Sequence, residues 1–159
     1  MWIEVKDQQD IDKLMESYGF FQDSCLRELY LSTREFVDDQ RVMHFNNTLT
    51  ASLLFQREFG SDAVLELKFE DIERLNFKPF EEKEHPVIYD ATISKQNGLF
   101  YWADSANWEI DDPDSIWISG KKLFWRFRPE LMGNIKRLKD ERVETERVTE
   151  IERERETER

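Results

Sequence analysis

Apolar residues recur at every second position through most of the chain between positions 49 and 128. In residues 63–70, for example, Ala, Leu, Leu and Phe alternate with Val, Glu, Lys and Glu. This period of two belongs to a β-strand with one buried face, because neighbouring side chains of a strand point to opposite faces of the sheet. The pattern predicts a mainly β (α+β) fold: an antiparallel sheet, sandwich or partly open barrel, with an N-terminal helix and a charged C-terminal helix or tail.

Turn residues divide the chain into expected elements. Residues 7–18 place apolar side chains at helical spacing, and Gly19 ends that predicted helix. Asn97-Gly98 lies between two alternating runs, which is typical of a two-residue β-hairpin turn. The last long strand is expected to bend, or to divide in two, at Gly120. The other expectations are strands over residues 25–33, 49–58, 63–70, 87–94, 99–104 and 116–128, a short strand within 36–47, an irregular connection over 70–80 and a helix over 130–138.

A chain of 159 residues is long enough for one domain with its own core. We expect a single β-rich domain over residues 1–139 and a charged low-complexity tail over residues 140–159. The apolar residues of this tail do not follow a heptad, so either a solvated helix or a disordered segment is expected. They are also too few to offset the entropy of ordering, so the tail is expected to be dispensable for folding.

The cysteine and hydropathy patterns indicate a cellular location. Cys25 is the single cysteine and cannot form an internal disulfide, and the first residues lack the basic and apolar regions of a secretory signal. No stretch reaches the roughly 18 apolar residues of a membrane-spanning helix. These patterns predict a soluble, cytoplasmic protein and leave its oligomeric state open.

The formal net charge of −12 restricts the partners. It repels nucleic acid and anionic membranes and attracts basic proteins, so we expect a basic protein partner, no nucleic acid and no membrane. Residues 1–120 carry 25 acidic and 11 basic side chains, whereas residues 121–139 carry seven basic and one acidic. Local neutralisation by acidic residues on neighbouring strands explains this basic segment. A phosphate-binding groove is the alternative.

Two carboxylates within predicted strands are the main candidate site. Asp is a poor strand former, yet Asp90 and Asp104 fall inside the strands that flank the Asn97-Gly98 turn. In such a hairpin the two come close to cross-strand pairing and share a surface with Trp102. Paired carboxylates suggest a glycosidase or metal site. The structural alternative is that they pair with backbone groups or with nearby basic side chains, namely Lys121, Lys122 and Arg126.

Other candidate groups lack a chemical constellation. Cys25 follows a carboxylate rather than a histidine, so a nucleophilic role would need His44 or His85 to approach it in the fold. The acidic run over residues 111–114, which includes Asp111 and Asp112, lacks the alternating register of a calcium loop. We therefore predict no catalytic residues, no metal ligands and no cofactor.

Aromatic residues on both faces of the C-terminal strands predict that both faces are covered or form a partner surface. One predicted face contains Phe100, Trp102, Trp108, Trp117 and Phe124. The opposite predicted face contains Leu99, Tyr101, Ile116, Ile118, Leu123 and Trp125.

Five short segments carry a resemblance to a known group. They are Phe21 to Leu26 (FQDSCL), Phe55 to Arg57 (FQR), Tyr89 to Thr92 (YDAT), Tyr101 to Ser105 (YWADS) and Lys121 to Leu123 (KKL). As a set, over residues 20–128, they resemble a group of small acidic, uncharacterised bacterial proteins found in Firmicutes. In that group a histidine is common where Gln22 stands here, which weakens a metal or acid–base role at Gln22 and Asp23. The resemblance implies no reaction.

The function expected from the sequence is a non-enzymatic cytoplasmic protein-interaction module. Its most concrete form is an immunity protein that neutralises a basic toxin through an acidic, aromatic-rimmed sheet surface, because charge complementarity speeds and directs association. The residues expected on that surface are Asp90, Trp102, Asp104, Asp111 and Asp112. The alternative is a hydrolase or ligand-binding β-barrel that uses Asp90 and Asp104 in a pocket.

Overall fold

The computed structural model describes residues 1–81 and 85–138 and confirms the mainly β class. One helix and two short 3₁₀ turns, Gly19–Phe21 and Pro129–Leu131, accompany the strands. The predicted tail over residues 140–159 lies outside the described residues. In chain order the elements are β1 (Ile3–Val5), α1 (Gln8–Ser17), β2 (Ser24–Thr33), β3 (Phe36–Val37), β4 (Met43–His44), β5 (Leu49–Arg57), β6 (Val64–Asn76), β7 (Thr92–Gln96), β8 (Leu99–Ala103) and β9 (Trp117–Phe127).

Seven of these strands form one antiparallel sheet. Its order is β2-β5-β6-β9-β8-β7, and β1 pairs with β9 beyond the end of β8. The remaining two strands, β3 and β4, form a separate small hairpin between β2 and β5. In the described ranges, no helix has the length and apolarity that crossing a membrane requires.

The sheet is strongly curved but does not close into a barrel. Phe55 on β5 and Trp102 on β8 are separated by two strands, which in a flat sheet means roughly 14 Å between their backbones. Their ring centroids nevertheless lie 5.0 Å apart, and Phe21 packs edge-on against Phe55. Between the outer strands, the bridge from Ser24 to Ile88 joins β2 to the segment that precedes β7. The curvature wraps one face of the sheet around a single aromatic-rich core.

Helix α1 covers the open side of this core, as its apolar spacing predicts. The Asp7 side chain caps the helix by accepting a hydrogen bond from the Asp10 N–H at 2.9 Å. Ile11, Leu14 and Met15 are buried against the sheet. After the helix, Gly19 adopts a φ of 56°, which confirms the predicted end at this residue.

The Asn97-Gly98 hairpin is confirmed in detail. Gln96 pairs with Leu99, so the loop contains only two residues. Asn97 and Gly98 have φ values of 53° and 77°, as a turn with two left-handed residues requires. The predicted hairpin between the strands before and after Gly60 is also present, as β5 and β6.

Strand β6 is longer than predicted, because the expected irregular connection over residues 70–80 is strand as far as Asn76. A bulge explains the missing alternation: Asp71 has a φ of 54°, and the pairing with β9 shifts between Ile72 and Arg74. Gly120 lies opposite the bulge, where an added Cβ would be 3.0 Å from the carbonyl oxygen of Glu70. The irregularity expected at Gly120 is therefore on the partner strand, and β9 continues as one element.

Three further expectations are wrong. The strand predicted over residues 87–94 begins only at Thr92, although Ile88 makes the isolated bridge. The helix predicted over 130–138 is limited to the turn Pro129–Leu131, because Gly133, with a φ of 87°, takes the chain out of helical geometry. The predicted aromatic faces are partly exchanged. Phe100 and Trp102 share the core face with Ile118, Leu123 and Trp125, whereas Leu99 and Tyr101 pack with Trp108 and Trp117 on the other face. That both faces are apolar there is confirmed.

Candidate functional site

Trp102 does not belong to the surface expected from the sequence. Its side chain is fully buried and packs against Phe55 and Phe21 in the core. The pairing of Trp102 with Ile118 on β9 fixes this orientation. Its role is to fill the concave face of the sheet, and it presents nothing to a partner.

Asp104 lies just beyond β8 and is partly buried. Its carboxylate accepts a hydrogen bond from the Ile116 N–H at 3.1 Å. Burial raises the pKa of this carboxyl, and the hydrogen bond from Ile116 opposes that rise. The neighbouring Asp112 carboxylate raises the pKa further. These contacts agree with the structural alternative, in which a strand carboxylate satisfies a backbone group.

The acidic loop before β9 is held by its own side chains. The Asp112 carboxylate accepts hydrogen bonds from the Asp114 N–H and the Ser115 hydroxyl, each at 2.9 Å. The Asp112 carbonyl accepts the indole N–H of Trp117 at 3.0 Å. Asp111 forms an ion pair with Arg74. Within residues 1–81 and 85–138, no group of three or more acidic, histidine or cysteine side chains has the arrangement of a metal site.

Asp90 is separated from the other predicted carboxylates. The β7–β8 pairing ends at Thr92 and Ala103, so Asp90 precedes the ladder that was expected to bring it beside Asp104. Its side chain is exposed and has no hydrogen bond or ion pair with any described residue. The structure therefore gathers Asp104, Asp111 and Asp112 near one loop and leaves Asp90 apart.

Two arginines of the basic segment after position 120, Arg126 and Arg128, are neutralised on the sheet. Glu66, which is only 2% exposed, accepts hydrogen bonds from Arg126 at 3.0 Å and from Arg128 at 2.5 Å. Arg128 also donates to Glu130 at 2.6 Å. These contacts are the local neutralisation expected from cross-strand pairing, and they direct both guanidinium groups to intramolecular partners rather than to a phosphate groove.

The histidine and cysteine candidates do not meet. The His44 ring bonds the Asp38 carboxylate at 2.8 Å in the β3–β4 hairpin, and this hydrogen bond lowers the pKa of Asp38. The same ring stacks on Phe36, with 4.5 Å between centroids. Cys25 instead lies on β2, opposite Gln56 of β5. No hydrogen bond joins Cys25 to His44 or to His85 within the described ranges.

A cleft of about 580 Å³ lies where β2 begins and β5 ends. The segments around Val87 and Met132 form its other walls. It contains the single cysteine, one cation and two carboxylates under an apolar rim. Its main lining residues are Asp23, Cys25, Arg57, Glu58, Tyr89 and Met132.

Hydrogen bonds to backbone carbonyls hold the walls of this cleft in place. The Asp23 N–H donates to the Ile88 carbonyl at 2.9 Å, with Asp23 in a left-handed turn at a φ of 57°. The Gln56 amide donates to the carbonyls of Leu131 and Gly133, at 2.9 and 2.8 Å. Four separate parts of the chain thereby line one concavity.

Arg57 lines the cleft, but its guanidinium is engaged by the protein. It lies 4.4 Å from the centre of the Tyr18 ring and donates to the Asp62 carbonyl at 3.0 Å. Gly60 leaves room for it, because an added Cβ there would come within 2.7 Å of the guanidinium. The carboxylates of Asp23 and Glu58, in contrast, are exposed and have no described hydrogen-bond or ion-pair partner.

Sequence reasoning singled out Asp23 and Cys25 but missed this cleft. Glu58 and Phe59 look like ordinary residues of a hairpin turn, and Tyr89 was expected within a strand. The walls are far apart in sequence, so no local spacing could reveal them.

A comparison of the chain with protein-family models, with curated proteins and with solved structures found no match.

Proposed function

We propose that this chain is a non-enzymatic protein-interaction module that binds a basic protein. In its most concrete form it acts as an immunity protein that neutralises a basic toxin in the cytoplasm. The single cysteine, which cannot form an internal disulfide, supports the cytoplasmic location in this proposal. The residues that were expected to form the interaction surface do not assemble into one, so the proposal depends on the observed distribution of charge.

The carrying observation is that several cations of the sheet are paired within the protein, whereas many exposed carboxylates have no described partner. Arg126 and Arg128 are held by Glu66, Arg74 pairs with Asp111, and Lys68 lies 3.5 Å from Glu70. Several exposed carboxylates have no described partner, among them Asp23, Asp39, Glu58, Glu73 and Asp90. These carboxylates present negative charge at the surface of the described residues. Such a field steers a basic partner toward the protein.

Exposed apolar side chains support binding to a protein rather than to a free ion. The β3–β4 hairpin presents apolar residues at 53% exposure or more, and Phe45 reaches 74%. Contiguous exposed apolar surface marks interaction sites in soluble proteins. The exposed apolar residues of this hairpin and its following residue are Phe36, Val37, Val42, Met43 and Phe45.

Co-expression with the protein encoded by the adjacent gene tests the proposal. We expect the neighbouring protein to be basic and to arrest growth when expressed alone, and we expect this chain to bind it and restore growth. A shape-matched variant that replaces five exposed acids by their neutral amides should restore growth less well. Growth arrest that persists although both proteins accumulate would contradict the immunity assignment.

A further inference from the structure

We propose that the cleft between β2 and β5 binds one arginine or lysine side chain of the partner. The inference rests on the proposed function, because it assigns the place at which a basic partner is anchored. The cleft differs from the rest of the acidic surface in combining free carboxylates, exposed rings and a concave shape.

Charge complementarity selects a cation as the occupant. Asp23 and Glu58 offer four carboxylate oxygens to the cleft without a competing intramolecular donor. Arg57 is the one basic residue among the lining side chains, and its guanidinium contacts the Tyr18 ring and the Asp62 backbone carbonyl, so the lining carries two negative charges and one positive charge. A guanidinium or ammonium group from outside can therefore form charge-assisted hydrogen bonds that the protein does not form internally.

The apolar rim fits the remainder of such a side chain. Tyr89 is 74% exposed and Phe59 is 66% exposed. A bound side chain that covered these rings would remove their unfavourable contact with water. Aromatic faces attract cations, and Met132 adds a flexible apolar contact for methylene groups. A volume of about 580 Å³ accommodates one long side chain together with neighbouring backbone.

The walls of the cleft are formed before any partner arrives. Gln56 ties the Met132 segment to β5, and the Asp23–Ile88 hydrogen bond ties the Tyr89 segment to β2. A prearranged site avoids the entropy cost of ordering loops on binding.

The test uses the full chain and the peptide acetyl-Gly-Gly-Arg-Gly-Gly-amide, with its citrulline counterpart as a neutral probe. Amide shifts in nuclear magnetic resonance titrations report where the peptide binds. We expect shifts concentrated at residues 23, 58, 89 and 133 with the arginine peptide and none with citrulline. Alkylation of Cys25, the single cysteine and a lining residue, should slow when the arginine peptide is present.

Matched variants separate the cleft from general acidity. The double change Asp23→Asn and Glu58→Gln removes both carboxylates, and asparagine tolerates the left-handed backbone at position 23. It should weaken peptide binding by about tenfold. The control Asp39→Asn with Glu73→Gln removes equal charge from exposed positions outside the cleft and should change affinity by less than about twofold. Tyr89→Ala should weaken binding by about threefold through loss of the ring.

Three outcomes would overturn the cleft assignment. Shifts spread evenly over the acidic surface, unchanged alkylation of Cys25, or equal loss of affinity in both double variants would each show that no anchoring site exists there. All three leave the interaction module itself intact, because a basic protein could still bind elsewhere. Failure of the proposed function would look different, since the neighbouring basic protein would then not bind at all.

Discussion

Substitution of Glu66 tests most directly how much the buried ion pairs of the sheet contribute to the stability of the protein. The change Glu66→Gln keeps the side-chain volume but removes the negative charge that Arg126 and Arg128 share. Breaking a buried ion pair on one side costs about 3–5 kcal/mol, because the remaining charge stays desolvated. The lower end applies here: Arg126 is 29% exposed and can regain water, and Arg128 keeps its bond to Glu130.

We therefore expect Glu66→Gln to lower the free energy of unfolding by about 3 kcal/mol. Urea denaturation with an unchanged slope would measure it, and for a chain of this size the melting temperature should fall by roughly 6–12 °C. The control is Glu70→Gln, which breaks the more exposed pair with Lys68 and should cost less than about 1 kcal/mol. If the two variants lose equal stability, the buried triad does not hold the sheet as argued.

Four substitutions at three further positions probe local features of the fold. Burial raises the pKa of Asp104, so its ionisation destabilises the protein as pH rises from the ordinary value of 3.8 through the raised pKa. Asp104→Asn, which mimics the protonated form, should be more stable than the parent at pH 7, and urea midpoints should converge below about pH 4. Asp104→Ala removes the acceptor of the Ile116 N–H and should cost about 1–3 kcal/mol at either pH. Gly120→Ala should lower the free energy of unfolding by about 1–3 kcal/mol in the same assay, because the added Cβ would contact the Glu70 carbonyl oxygen. An unchanged stability would show that the backbone at the bulge shifts to accommodate the methyl group. Gly98→Ala should cost about 1 kcal/mol, since its φ of 77° disfavours a side chain although the space around it is open.

Local sequence signals predicted the elements that local physics determines. The apolar spacing of α1, the Asn97-Gly98 turn and the alternation of β5 and β9 each depend on residues within a few positions of one another. The alternation of apolar residues did not predict where β6 ends, because the bulge at Asp71 shifts that alternation by one residue. The helix expected over residues 130–138 was wrong because Gly133 has a φ of 87°, and Gln56 holds this non-helical segment through the carbonyls of Leu131 and Gly133.

The site was less accessible to sequence reasoning than the fold. Asp104 was singled out as a carboxylate in a predicted strand and Asp112 as part of an acidic run, and in the structure their carboxylates accept hydrogen bonds from backbone and hydroxyl groups near their own loop. Trp102 lies in the core because β8 pairs with β9 in a register that alternation alone does not specify. The cleft depends on the curvature of the sheet, which brings the segment before β7 back to β2. The sequence of either segment alone does not predict that the two are in contact.

Selection of random linear peptides displayed on phage, with the full chain as bait, tests the central claim most directly. We expect the selected peptides to be enriched in arginine and lysine with apolar neighbours. Their binding should weaken as salt rises, because attraction to an acidic surface is screened. Enrichment of acidic or purely apolar peptides, or binding that is indifferent to salt, would contradict the assignment of this chain as an acidic module for basic partners.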